Sequence, residues 1–246
     1  MNESVAALIG HNISFFFLTF LPPIVWLLFY LREDEHPEPK RLIIATFIGG
    51  IIIAIPAALI QFLTMKATGV SSISSGEYAL GFLFFIALTE EYAKYFVVRY
   101  LIEIRPDFDE PIDAMIYMMS AAMGFAAIEN ALFAFPIFNA EFYKGLELVA
   151  GRFLGANLLH VLSSGVLGFF LAKGLLAPRF KKLIIISGLL TATVLHTAFN
   201  YLIIVKEGVG EGLAYVVLFL FIIALMVFRE FSRLKKKNVN FTNVTL

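Results

Sequence analysis

The chain has 246 residues, 60% of them hydrophobic and 15% charged, and its mean hydropathy of +0.85 is more apolar than a soluble domain of this length can bury. Its 19 basic and 19 acidic residues give a net charge of +0, which offers no surface to a nucleic acid. It has no cysteine, so disulfides, thiolate metal sites and cysteine nucleophiles are excluded together.

The pattern predicts an all-α fold, a polytopic transmembrane helix bundle forming one integral membrane domain over 1–246. Apolar runs near the roughly 20 residues that cross a bilayer fall at about 13–31, 42–65, 78–101, 112–135, 152–172, 183–204 and 212–229, which makes seven spans. The first run has no basic residue before it, contains Pro22-Pro23 and Trp26, and lacks a small-residue cleavage site, so it reads as a retained helix. Spans one, two and seven carry no polar cluster and read as scaffold.

Span three is different: Glu90-Glu91-Tyr-Ala-Lys94 puts three charges into an apolar stretch, where each costs roughly 2.5–3.5 kcal/mol at a helix centre. Lys94 lies three residues after Glu91 and four after Glu90, within reach of either carboxylate on one helix face. Two neighbouring carboxylates sharing one ammonium leave one a committed anion and the other suited to acid or base work. Span four carries Glu129-Asn130 on a face with Ala122 and Ala126, small enough for close helix contact. Between spans four and five, 136–151 spaces Phe138, Phe142, Leu146 and Val149 at helical intervals, which predicts an interfacial helix covering lipid rather than roofing a site. Span five sets His160 on a face with Asn157, Ser164 and Gly168, and span six sets His196 with Thr193 and Asn200.

Basic residues gather in alternate loops. Arg32, Lys40, Arg41, Arg99, Arg105, Lys173, Arg179, Lys181, Lys182, Arg229, Arg233, Lys235, Lys236 and Lys237 fall on one side, against Lys66, Lys144, Arg152 and Lys206 on the other. This puts the N-terminus outside and the C-terminus in the cytoplasm of a multi-pass cell-membrane protein. At 1.5 Å rise per residue, Glu129, His160 and His196 then fall at similar height in the outer half of the bilayer, with Glu90 and Glu91 near the midplane.

Such a set can activate water for peptide hydrolysis: Glu90 or Glu91 as base, His160 and His196 orienting the water or sharing a proton, Asn200 donating to an oxyanion. Alternatively, His160, His196 and Glu129 form a three-ligand site of the open zinc type, with the span-three pair as base. The residues alone also fit a proton- or cation-coupled transporter, although there are no paired halves or matched broken helices, and a non-catalytic membrane scaffold. No Gly-x-Ser-x-Gly, His-Glu-x-x-His or Gly-x-Gly-Asp signature is present.

Glu90-Glu91-x-x-Lys94, Asp109-Glu-Pro-Ile-Asp113-Ala-Met-Ile-Tyr117, Gly124-Phe-Ala-Ala-Ile-Glu129-Asn130, His160 and His196-Thr-Ala-Phe-Asn200 occur in that order over about 78–200. In these motifs the chain resembles the PrsW family of intramembrane proteases, relatives of the CAAX prenyl endopeptidases among the glutamate-type membrane proteases. The resemblance implies that Glu90, Glu91 and a membrane histidine are catalytic, with Glu129, His160, His196 and Asn200 lining the site. It also implies a substrate class, membrane-anchored single-span regulators such as anti-sigma factors, cut near the extracytoplasmic face.

Overall fold

The computed structural model describes residues 3–34, 36–69, 79–205 and 211–235. Lys206 and the basic tail from 236 onward lie outside them. Among the described residues there are eight α-helices and no strand: α1 (Glu3–Leu31), α2 (Lys40–Thr68), α3 (Ala79–Leu101), α4 (Asp113–Ala140), α5 (Phe142–Leu154), α6 (Ala156–Leu176), α7 (Lys181–Val205) and α8 (Glu211–Lys235). In lipid a helix satisfies its own backbone, which is why apolar runs of this length take that form. The seven long helices occupy the seven predicted runs, and α5 is the helix expected between spans four and five. It begins later than the hydrophobic spacing suggests, because α4 continues through Pro136 and breaks at Glu141, whose backbone is extended (φ −146).

Five stretches are long and apolar enough to cross a membrane: Lys40–Thr68, Asp113–Phe138, Phe142–Leu176, Pro178–Ile203 and Ala214–Lys235. α3 falls short because every eighteen-residue stretch of it contains Glu90, Glu91 and Lys94. In α1 the apolar described portion is Phe17–Leu31.

α4 is the hub, buried without a break from Asp113 to Ala127. Its small residues let neighbouring helices approach to backbone contact. A Cβ on Gly124 would collide with the carbonyl oxygen of Phe47 on α2, and a Cβ on Gly50 of α2 with that of Ala121. On the opposite side Gly168 of α6 rests on Met115 Cα and the carbonyl oxygen of Ala114, where a Cβ would sit 2.7 Å from each. Packing of this kind, not hydrophobic exclusion, holds helices together in lipid. Because the obstructing atoms are backbone, Gly124→Ala is expected to lower stability by about 1–3 kcal/mol or more, read as the thermal midpoint in detergent. Large apolar side chains on the outer faces, among them Ile44, Ile48, Ile52 and Ile55 of α2 and Leu183, Ile186 and Leu190 of α7, are exposed toward the bilayer.

The start of α4 is tied to the preceding loops by the Asp109–Tyr117 run. Asp113 Oδ2 accepts from the backbone N–H groups of Asp109 (2.9 Å) and Glu110 (2.7 Å), and Tyr117 Oη donates to Glu38 Oε2 at 2.5 Å. Burial pushes the carboxyls of Asp34 and Glu38 in the α1–α2 loop above their ordinary range. This motif anchors a loop: its Glu110 Oε1 also lies 3.0 Å from His36 Nδ1, and none of these contacts involves His160 or His196.

Candidate active site

The polar residues of α3, α4, α6 and α7 meet in one buried cluster, and the two adjacent glutamates have different surroundings in it. Glu91 is saturated. Its Oε1 accepts from Lys94 Nζ (2.8 Å), Ser163 Oγ (2.9 Å) and His196 Nδ1 (2.9 Å), and its Oε2 from Ser164 Oγ (2.9 Å). Glu90, 4% exposed, accepts only from Gln61 Nε2 of α2, at 3.2 Å on Oε1; its buried Oε2 has no hydrogen-bond partner among the described residues.

The hydrogen bonds also assign the imidazole tautomers. Lys94 can only donate, so His160 Nδ1, 2.9 Å from Nζ, is an acceptor, and Nε2–H donates to Glu129 Oε2 at 2.9 Å. His196 Nδ1–H donates to Glu91. In neutral imidazole this leaves the Nε2 lone pair turned toward Glu90 Oε2 at 3.6 Å. With His196 neutral and Glu90 ionised, two acceptors face each other, with no donor to Glu90 Oε2 among the described residues. The two rings lie edge to face with centroids 5.0 Å apart, and the Lys94 ammonium also lies over the ring of Phe125 at 5.1 Å.

Glu129 is held from above. Arg152, near the end of α5, donates Nη2 to Glu129 Oε2 and Nε to Asn130 Oδ1, both at 2.5 Å, while Asn130 Nδ2 reaches the Thr19 carbonyl of α1 at 3.1 Å. The amphipathic helix expected to cover lipid thus also carries a cation into the site, and Trp26 of α1 fastens it through Phe153 O at 2.8 Å. Asn200, one turn beyond His196, is half-buried and makes no side-chain hydrogen bond to a described residue.

The structure brings Glu90, Glu91, Lys94, Glu129, His160 and His196 together and links Asn130 to them through Arg152. Ser164 lies on the His160 face as the spacing predicts, whereas Gln61, Arg152 and Ser163 are additions that the sequence does not single out. Gln61 is a lone amide in an apolar run, and Arg152 reads in sequence as an outer-loop charge. Gln61 also means that span two is more than scaffold.

The donor set suited to a metal differs in one member from the expected His160, His196 and Glu129. Ligating atoms of Glu90, His160 and His196 all lie within 4.8 Å of one another, while Glu129 is occupied by Arg152. One carboxylate and two imidazoles fit a catalytic zinc, and the unpartnered Oε2 of Glu90 and the Nε2 of His196 are open to it. Both nitrogens of His160 are engaged, so its participation requires Lys94 or Glu129 to give way.

An all-α membrane bundle closing around buried carboxylates and imidazoles has the plan of a membrane-embedded enzyme. The family model described as "PrsW family intramembrane metalloprotease" matches residues 38–226, and the chain belongs to that family. It is a multi-pass membrane protease. Protease PrsW of Geobacillus kaustophilus is 29% identical over 182 residues, covering 74% of this chain and 76% of the relative. Protease PrsW of Oceanobacillus iheyensis is 29% identical over 219 residues (89% and 94%), and that of Bacillus subtilis 26% identical over 178 residues (71% and 75%). No solved structure matches the chain.

Proposed function

We propose that the protein is an intramembrane endopeptidase that cuts a single-span, membrane-anchored protein of the anti-sigma-factor kind near the extracytoplasmic face. The observation that carries this reading is the facing pair Glu90 Oε2 and His196 Nε2, in a cluster where both oxygens of Glu91 and the Oε2 of Glu129 are already engaged.

In this reading a water donates to these two acceptors, which aims its oxygen at the scissile carbonyl. Glu90 takes the water proton as the oxygen attacks, and passes it to the amine as the C–N bond breaks, so the site ends as it began. Glu91 holds His196 in the required tautomer and neutralises Lys94. Lys94 and Glu129 fix His160 from its two nitrogens. Asn200, one turn beyond His196 and without a side-chain partner among the described residues, donates to the developing oxyanion. Where a zinc-type ion is used, Glu90, His160 and His196 would hold it, and it would polarise the carbonyl and acidify water.

The extracytoplasmic placement rests on the basic-residue distribution, which sets the N-terminus outside and the C-terminus in the cytoplasm. His160 is about 6 Å of helix rise from the first residue of α6, the end that this orientation assigns to the outer side.

The test is proteolysis of a library of single-span peptides by purified, detergent-solubilised protein, with and without chelator. Cleavage in the outer half of the peptide span is expected, slowed by chelation and restored by zinc. Cleavage indifferent to chelator, from protein containing no metal, assigns the activation of water to Glu90 alone; a folded protein that cuts nothing removes the reading.

A further inference from the structure

Asn157 is distinguished by what its side chain lacks. It lies on α6 one turn before His160 and is fully buried, and neither Nδ2 nor Oδ1 has a hydrogen-bond partner among the described residues. Of the other buried side-chain atoms in this condition, Glu90 Oε2 belongs to the site, while Asp34 Oδ2 and Glu103 Oε2 lie elsewhere. A buried amide unpaired at both ends is a standing cost to the fold and calls for a specific explanation.

Its position supplies one. α6 and α7 form an antiparallel hairpin whose register is set by four contacts. Gly174 lies against Ile185 and Gly188 against Phe170, the rings of His160 and His196 meet, and Gly155 lies against Phe199. That register puts Asn157 level with the Thr197–Asn200 turn, about one helical turn from His160 and about 3 Å of rise from the level of His196, toward the start of α6. By helical spacing Asn157 shares the face of α6 that carries His160 and Ser164 into the cluster, at the end nearest the start of the helix.

An Asn amide presents one carbonyl acceptor and two N–H donors, which complement the N–H and C=O of a peptide unit. A membrane-spanning substrate must unwind at the bond to be cut, and in a site poor in water each freed backbone group needs a partner. We infer that Asn157 is a substrate-backbone clamp: its Oδ1 accepts the N–H and its Nδ2 donates to the C=O of the unwound segment beside the scissile bond. This rests on the peptidase reading above. Asn157 binds and positions the chain, and takes no proton.

The test uses the full chain in detergent, with Asn157→Leu and Asn157→Ala beside wild type. Because the amide has no partner to lose among the described residues, the thermal midpoint is expected to stay level or rise, while kcat/KM for a single-span peptide falls at least about tenfold. A set of peptides with one backbone amide at a time replaced by ester should show a position where wild type loses cleavage and the variants lose nothing further. Variants that unfold at lower temperature yet cut at the wild-type rate per folded molecule, with no such ester position, make Asn157 a structural amide and overturn the clamp. Wild-type protein that cuts no peptide overturns the peptidase reading and the clamp with it. Wild-type cleavage lost in Glu90→Gln but kept in both Asn157 variants overturns the clamp alone.

Discussion

Glu90→Gln is expected to lower peptide cleavage by about 10²–10⁴-fold, the range for loss of a general base, while leaving the thermal midpoint close to wild type. The neighbouring Glu91→Gln should lose both. The difference follows from what each carboxylate touches. Glu90 accepts one long hydrogen bond from Gln61, which the Gln carbonyl can also accept, and its other oxygen has no hydrogen-bond partner to lose among the described residues. Glu91 anchors Lys94, Ser163, Ser164 and His196, so removing its charge leaves a fully buried ammonium without a counter-ion. Breaking a buried pair from one side costs about 3–5 kcal/mol. Cleavage per folded molecule, measured beside thermal unfolding, separates the two roles. Equal loss of stability in both variants would make the pair a shared structural knot and remove Glu90 as the base.

That division of labour marks where sequence reasoning stops. Long apolar runs admit only helices in a bilayer, so the seven long helices were legible from hydropathy, and counting rise along each one was enough to bring Glu90, Glu91, Glu129, His160 and His196 to similar depth. Spacing alone, however, offers Lys94 to Glu90 at i,i+4 and to Glu91 at i,i+3 on equal terms. The rotation of α3 against α6 and α7 decides between them, and it depends on packing, including the contact of Gly49 on α2 with Val97 and Leu101 of α3. Arg152 was illegible for a related reason. Its helix carries the amphipathic pattern of an interfacial element, and only the break at Glu141 and the Trp26 tether turn its last turn inward toward Glu129. The expected metal set included Glu129 because that residue shares a level with the histidines; the structure assigns Glu129 to a guanidinium and leaves Glu90 beside His196.

Lys94→Met is expected to destabilise the protein by about 3–5 kcal/mol, and the double variant Lys94→Met, Glu91→Gln by much less than the sum of the two single changes. The ammonium is fully buried, 2.8 Å from Glu91 Oε1, and its removal leaves an anion with only neutral donors around it; removing both charges takes that penalty away. A double-mutant cycle on unfolding free energies reads the coupling directly. Activity should not return with stability. Lys94 is the donor that fixes His160 at Nδ1 while Nε2–H donates to Glu129; without it the ring is held from one nitrogen only and loses its fixed orientation. Cleavage by the double variant should therefore remain about 10²-fold below wild type, the usual upper range for losing an outer-shell orienting partner. Additive stability losses would show that Lys94 and Glu91 act independently, and full recovery of cleavage would show that the orientation of His160 does not matter to the reaction.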